Sequence, residues 1–460
     1  MNTGPIYRDG DTIVAPATAP LPAGVAVLRL SGPEAWPLAA QLCPKLAGAS
    51  PRRMLWSPLE WQGDVVDEAM VVGFKAPASF TGEDVVELHT HGGRAVVQAV
   101  LDALLGMGAR MALPGEFSRR AVLNGKMDLT AAEGLADLIA ADTDVQRRQA
   151  LRQMEGALGE RFEGWRKAVL NLLAQVEAAI DFPDEELDVL SAPGLVGGLQ
   201  KVLEDLQAGM AEEAGRRVRD GVALALVGLP NAGKSTLLNL LSGRDVAIVS
   251  AMAGTTRDVV TNRLDVAGYP VTVADTAGVR ETRDAIEAEG VRRARRQAEQ
   301  ADIVIGVVDG SRGFDLPAEV AELLVEGASM VVVSHADVMR REAPTQVEVD
   351  GAAYPVAAVN LTDRAALGKV VPVLAGLVEA VAGRASDAAL LTRERHRAAV
   401  REAIAALGNA LVAIGKGQGG VAELVAQDLR EAAAAIGSVT GRTGSEDVLD
   451  VVFSTFCIGK

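Results

Sequence analysis

Hydrophobic positions change their period three times along this 460-residue chain. Over residues 1–124 the apolar runs are short, at Gly24–Leu30, Ala69–Phe74 and Asp84–Leu88, and are bounded by Gly and Pro. They predict strands, joined by one helix around Ala95–Leu105, in a small α+β domain. Then Leu151, Met154, Leu158, Phe162, Trp165, Val169, Leu172 and Val176 recur at steps of three and four. That spacing predicts one continuous apolar stripe on one helix. It breaks at the acidic turn Asp181–Glu186 and resumes over Leu199–Met210.

From Gly221 strands and helices alternate. Val222–Val227, Ile303–Asp309, Met330–Ser334 and Tyr354–Val359 read as strands, Lys234–Leu241 as a helix, and Thr261–Val266 with Pro270–Ala274 as a hairpin. Such alternation predicts a mostly parallel, doubly wound sheet. After Ala385 helical spacing returns through Val400, Ile404, Leu407, Leu411, Val421, Leu424, Leu429 and Ile436. The expected fold class is α/β plus α. An N-terminal α+β domain (1–124) precedes a discontinuous helical bundle (125–217 and 386–460), into which an α/β domain (218–385) is inserted. Insertion is feasible because domain termini usually lie close together.

Composition narrows the class. Hydrophobic residues make up 49% of the chain, enough for sizeable cores. No apolar run approaches the ~20 residues of a membrane span, and the N-terminus lacks an export signal. Cys43 and Cys457 are the only cysteines. Neither a disulfide framework nor a metal cluster follows, and a cytoplasmic, reducing location is expected. The net charge of −16 disfavours tight autonomous binding of nucleic acid. Two basic clusters, Arg216, Arg217 and Arg219, and Arg292, Arg293, Arg295 and Arg296, read as solvated helix faces.

The strongest chemical signal is Gly228-Leu229-Pro230-Asn231-Ala232-Gly233-Lys234-Ser235, a phosphate loop between a strand and a helix. Its glycines let backbone N–H groups surround a β-phosphate at a helix N-terminus. Lys234 meets the β/γ oxygens, the Ser235 hydroxyl ligates Mg²⁺, and Thr236 follows in the first helical turn. Downstream, Gly254-Thr255-Thr256-Arg257-Asp258 offers Thr256 as a second Mg²⁺ hydroxyl, and Asp275-Thr276-Ala277-Gly278 supplies a metal-side carboxylate and a γ-phosphate sensor. Together these predict a Ras-like P-loop GTPase domain. Ser334-His335-Ala336-Asp337 stands where GTPases usually carry Asn-Lys-x-Asp. Asp337 can accept from guanine N1 and N2, so GTP is expected over ATP, with weakened affinity. Val279 occupies the place of the usual water-orienting glutamine, which leaves the acidic stretch Glu281–Glu289 to supply a carboxylate.

His89 and His91 read as a strand-end pair rather than metal ligands. Cys457 reads either as a nucleophile or as a buried structural thiol. Two other classes were weighed on the residues: a ribosome-assembly or regulatory switch GTPase without modification chemistry, and a scaffold with a decayed nucleotide site.

Gly228–Ser235, Gly254–Asp258, Asp275–Gly278 and the terminal Phe456-Cys457-Ile458-Gly459-Lys460 resemble the tRNA-uridine-modifying GTPases of the MnmE or TrmE family. So do Asp11–Ala15, Leu28–Gly32, Phe80–Leu88, Pro114–Ser118 and Asn124–Leu129. The resemblance implies a K⁺ held by Asn231, Ser250, Met252 and Thr255, and a catalytic carboxylate at Glu287. It also implies 5-formyl- or methylene-tetrahydrofolate bound by Arg29, Glu87, Lys126 and Lys460. A homodimer, an FAD-dependent partner of the MnmG or GidA type in a heterotetramer or larger assembly, and tRNA as substrate complete the implied picture. The stretch Pro20–Gly24 departs from the family, whose members are richer there in Gly and basic residues.

Overall fold

The computed structural model describes residues 7, 10–18, 20–181, 193–211, 214–243, 262–273, 295–383, 391–416, 421–442 and 446–459. Two compact units emerge: Met1–Ala136 with Met154–Val196 and Ala405–Lys460, and Asp137–Gln153 with Gly197–Ile404.

The first unit opens with a six-stranded sheet built from β1 (Ile13–Pro16), β2 (Ala23–Ser31), β3 (Leu55–Trp61), β4 (Asp64–Phe74), β5 (Val85–Gly92) and β6 (Arg110–Met111). Its order is β3-β4-β5-β2-β1-β6. Alternation sorts the two faces. Ala26, Leu28, Leu30, Val86 and Leu88 are buried with Trp36 and Leu38 of α1 (Ala35–Leu42) and with Val97, Val100 and Leu104 of α2 (Arg94–Gly106). The opposite face is covered over Ile13 and Ala15 by Phe117 and open at Val25, Trp56 and Met70.

Three further elements lead into the helical part: α3 (Glu116–Leu123), α4 (Leu129–Ala140) and α5 (Asp144–Met154). The stripe expected as one helix is divided between α5 and α6 (Ala157–Asp181). Gly156 at φ +99° makes the break, a left-handed conformation that ends a helix and that β-carbon-bearing residues avoid. Leu158, Phe162, Trp165, Val169, Leu172 and Val176 of α6 are buried nonetheless.

The second unit contains α7 from Gly197 onward (Pro193–Ala211), α8 (Ala214–Asp220) and a seven-stranded sheet. Its strands are β7 (Val222–Val227), β8 (Asn262–Val266), β9 (Tyr269–Val273), β10 (Ile303–Asp309), β11 (Ser329–Ser334), β12 (Gln346–Val349) and β13 (Ala352–Ala358). The order is β12-β13-β11-β10-β7-β9-β8, with parallel pairing from β13 through β9 and antiparallel strands only at the edges. The β8–β9 turn is Ala267-Gly268, both at positive φ (55° and 83°), as a tight two-residue hairpin requires. Helices α9 (Lys234–Leu241), α10 (Ala318–Ala321) and α11 (Leu367–Ala382) cover the sheet. Val370, Leu374 and Val378 of α11 are buried against Leu224, Leu226 and Ile305.

The chain continues through α12 (Glu394–Lys416), and the first unit closes with α13 (Val421–Val439) and α14 (Glu446–Ser454). Two helical stretches, Arg364–Ala382 and Glu394–Lys416, are long and apolar enough to cross a membrane, which corrects the expectation that none is. The first turns its apolar stripe onto the α/β core, a pattern a core helix also gives.

Candidate functional site

The phosphate loop leaves the end of β7 under tight steric constraint. A β-carbon on Gly228 would stand 2.3 Å from the Val307 carbonyl oxygen, and one on Gly233 (φ +102°) 2.9 Å from the Leu361 methyl and 3.4 Å from Ser334 Cβ. Asn231 is left-handed at φ +65° and exposed. Lys234 folds back over the loop, its Nζ donating to the carbonyls of Gly228 (2.8 Å) and Leu229 (2.9 Å). Burial pushes its ammonium below the usual lysine value. An anion would exchange these neutral acceptors for charged ones. Ser235 and Thr236 are exposed at the start of α9, and Ala232 is buried. This is a cradle with the backbone path, helix start and cation that a nucleotide polyphosphate and its Mg²⁺ need.

Beside it, β11 ends at Ser334, 1% exposed, whose hydroxyl donates to Val308 O at 3.3 Å. His335 is left-handed (φ 53°), and the Ala336 N–H donates to Val359 O at 3.2 Å. Asp337 is exposed on the following turn. The loop is therefore anchored by Ser334 and by backbone, without an asparagine. The assigned Ser250, Met252, Thr255, Thr256, Asp275, Thr276, Ala277, Gly278 and Glu287 lie outside the described residues, as do Arg292 and Arg293.

The first arginine cluster departs from expectation. Arg217 donates to Val381 O and lies 3.6 Å from Asp302, and Arg219 pairs with Asp137 (3.2 Å) and Asp220 (2.8 Å). These side chains tie α8 to its surroundings instead of facing solvent. Arg295 does lie exposed, 3.5 Å from Glu299.

In the N-terminal sheet, Arg29 and Glu87 are directly opposite on β2 and β5 and pair at 3.0 Å. The guanidinium lies 5.3 Å from the Phe80 ring centroid and 5.8 Å from that of Phe117. Among the described residues, Lys126 donates instead to Pro77 O at 2.9 Å. Lys460 is not described, yet the preceding tail is docked close by in register: Gly115 N donates to Cys457 O at 3.2 Å, and Gly459 lies against Pro16 O, one residue beyond Ala15, which opposes Arg29. His89 contacts Glu87 at 3.4 Å, and His91 pairs with Asp67 at 2.7 Å. Cys457 is exposed, which corrects the buried-thiol alternative.

Charge alone does not reveal burial, and the sequence reading missed the ion network below this site. Arg120, 4% exposed, pairs with Asp11 (2.6 Å), Glu83 (3.0 Å) and Glu116 (3.2 Å), while Arg110 grips Asp11 and Glu116. Ser31 bonds Glu83 at 2.6 Å and Thr81 at 2.7 Å. Asp11, Ser31, Glu83 and Glu116 belong to four separate stretches already singled out in the sequence, and the fold brings them to one point.

Family models match on both sides of this architecture: the GTP-binding protein TrmE N-terminus over residues 12–126 and the MnmE helical domain over residues 129–457. The chain belongs to the MnmE family. A protein of Rhodospirillum rubrum named tRNA modification GTPase MnmE is 49% identical, covering 98% of this chain and 99% of its own length. One of the same name from Caulobacter vibrioides is 47% identical over 98% and 100%. Among solved structures, an Aquifex aeolicus Era variant bound to GDP and AlF4⁻ is 32% identical over 25% of this chain and 41% of its own, at a TM-score of 0.19, a superposition that adds nothing to the assignment. As an MnmE family member the chain combines an N-terminal domain, a helical domain and a P-loop α/β domain.

Proposed function

We propose that this protein is a K⁺-stimulated GTP hydrolase of the cytoplasm that drives modification of carbon 5 of the wobble uridine in certain tRNAs, adding an aminomethyl or carboxymethylaminomethyl group. The single observation that carries the nucleotide part is the loop Gly228–Ser235, where backbone closure on Val307 and the folded-back Lys234 prepare an anion cradle.

In this reading Asn231, Ala232, Gly233, Lys234, Ser235 and Thr236 bind the phosphates, with Ser250, Thr255, Thr256 and Asp275 through Gly278 closing over them. Asp337 accepts from guanine. Ser235 and Thr256 hold Mg²⁺. Asn231, Ser250, Met252 and Thr255 hold K⁺. The two cations supply positive charge beside the β/γ bridge, the role that an arginine finger plays elsewhere for about 10³–10⁵ in rate. Glu287 orients the attacking water, whose proton leaves as the γ-phosphate bond breaks. Exposed, left-handed Asn231 supports its share of the cation site.

Tetrahydrofolate, as the 5-formyl or methylene form, carries the one-carbon unit. Arg29, Glu87, Lys126 and Lys460 are its proposed ligands: the carboxylate suits the pterin amino edge and the cations suit the glutamate tail. The Arg29–Glu87 pair already resting over Phe80 and Phe117 supports a flat, polar-edged ligand there. The same open sheet face carries Trp56 (62% exposed), Met70 (45%) and Val25 (56%). An apolar face of this kind supports homodimerisation through the N-terminal domain. An FAD-dependent partner of the MnmG type completes the chemistry in a heterotetramer or larger assembly.

GTP turnover measured against K⁺ and Na⁺ at fixed ionic strength tests the proposal, together with mass spectrometry of wobble uridines in a deletion strain. Turnover that rises with K⁺ but not Na⁺, and loss of the uridine modification, are expected. Equal rates in both salts would remove the cation site, and unmodified behaviour of the deletion strain would remove the tRNA role.

A further inference from the structure

Hairpin β8–β9 joins the two segments assigned above to sensing the γ-phosphate. β8 begins at Asn262, six residues after Thr256, and β9 ends at Val273, two residues before Asp275. Its two strands are hydrogen-bonded in continuous register from Asn262↔Val273 to Val266↔Tyr269, so the hairpin responds as one unit.

The hairpin has a seat outside its own sheet. Arg263 Nη1 lies 3.1 Å from Asp142 Oδ2, just before α5. At the turn, a β-carbon on Gly268 would stand 3.0 Å from Val145 Cγ2 of α5. Val145 packs on the cluster that includes Leu264, Val266, Tyr269 and Val271. Helix α5 is also fixed to the helix that leads into the phosphate-loop strand: Gln146 Nε2 donates to Arg219 O at 3.0 Å, and buried Gln149 donates to Gly215 O at 3.1 Å. Residues Asp137–Gln153, continuous in sequence with the helical part, accordingly group with the α/β unit. An exposed ion pair alone would be a weak coupling. Here it is joined to an apolar contact and two amide anchors, so α5 and the hairpin move as one piece.

We infer that Asp142 and Val145 are positioning residues for the tRNA modification, transmitting the nucleotide state from β8–β9 through α5 to the helical part that α5 continues into. The inference rests on the GTPase reading above. The lever needs two discrete positions of the hairpin and α5 together, one with GDP and one with a triphosphate.

Full-length Arg263→Asp, Val145→Ala and the swapped pair Asp142→Arg/Arg263→Asp test it, assayed with the FAD-dependent partner and tRNA. Hydrogen exchange over residues 140–153 is compared with GDP and with a non-hydrolysable GTP analogue. The single variants are expected to keep GTP turnover within about 2-fold while tRNA modification falls at least 10-fold, and to lose the nucleotide-dependent difference in exchange. The swapped pair should recover both. Wild-type exchange that is the same with either nucleotide, or single variants in which turnover and modification fall together, would overturn the lever. A wild type that hydrolyses no GTP would instead overturn the reading on which it rests.

Discussion

The hydroxyl of Ser334 donates to the carbonyl of Val308 at 3.3 Å, tying the loop that carries Asp337 to the neighbouring strand. Among the described residues, backbone bonds and this short side chain anchor the loop, and His335 adopts a left-handed conformation. In the proposed function Asp337 reads the base by accepting from guanine N1 and N2, bonds worth about 1.5–3 kcal/mol each when one partner is charged. Asp337→Asn is expected to cut the preference for GTP over the xanthine triphosphate by at least 10-fold in competition binding. His335→Lys is expected to tighten GTP binding by about 3- to 10-fold, since a long cationic stem can lie over the base.

The approach of Gly228 to Val307 leaves no space for a methyl group. Gly228→Ala should destabilise the α/β unit by on the order of 2–3 kcal/mol and weaken nucleotide binding more than 10-fold. Thermal unfolding with and without GDP checks both: the variant should melt lower and gain less from the ligand.

Asn231→Ala should leave GDP affinity within about 3-fold but abolish the difference in turnover between K⁺ and Na⁺. Lys234→Ala should lower turnover at least 100-fold in either salt, because no other described side chain places a cation over the loop carbonyls.

Burial would raise the Asp11 carboxyl, but hydrogen bonds from Arg110 and Arg120 outweigh it and hold the group below its ordinary 3.8. A folded-state value below the unfolded one gives stability that is present above the unfolded value and is lost as pH falls through the folded one. Asp11→Asn should thus lower Tm at neutral pH and flatten its fall as pH drops below the ordinary carboxylate value. An unchanged acid limb in the variant would count against this pairing.

Glu87 already has a partner in Arg29, so Glu87→Ala removes both the proposed folate ligand and the brace on the guanidinium. Tetrahydrofolate affinity, read by fluorescence or calorimetry, should drop at least 10-fold. GTP turnover in the same variant should not change.

The central strands of the α/β domain were legible because β7, β10 and β11 are continuous apolar runs, almost wholly buried, whereas the edge strand β12, Gln346–Val349, alternates apolar with polar residues, is half exposed and escaped the sequence reading. Val222–Val227 and Ile303–Asp309 fall where their composition places them. The short or polar N-terminal strands were less legible: β3 carries Ser57, Pro58 and Glu60 among its apolar residues, and β1 and β6 are too short to show a period. The α5–α6 break was hidden because the apolar spacing continues across Gly156. At the sites, the phosphate loop could be read from local spacing alone. The Arg120 network could not, since its partners come from four segments that only the fold brings together, and an arginine that will be buried is written in sequence like any other.

Gly459 rests against the carbonyl of Pro16, and Cys457 accepts from Gly115. The first strand of the sheet is thus braced by a segment far from it in sequence, and deleting Phe456–Lys460 should bare that edge while leaving intact the α/β unit, whose core draws on none of these residues.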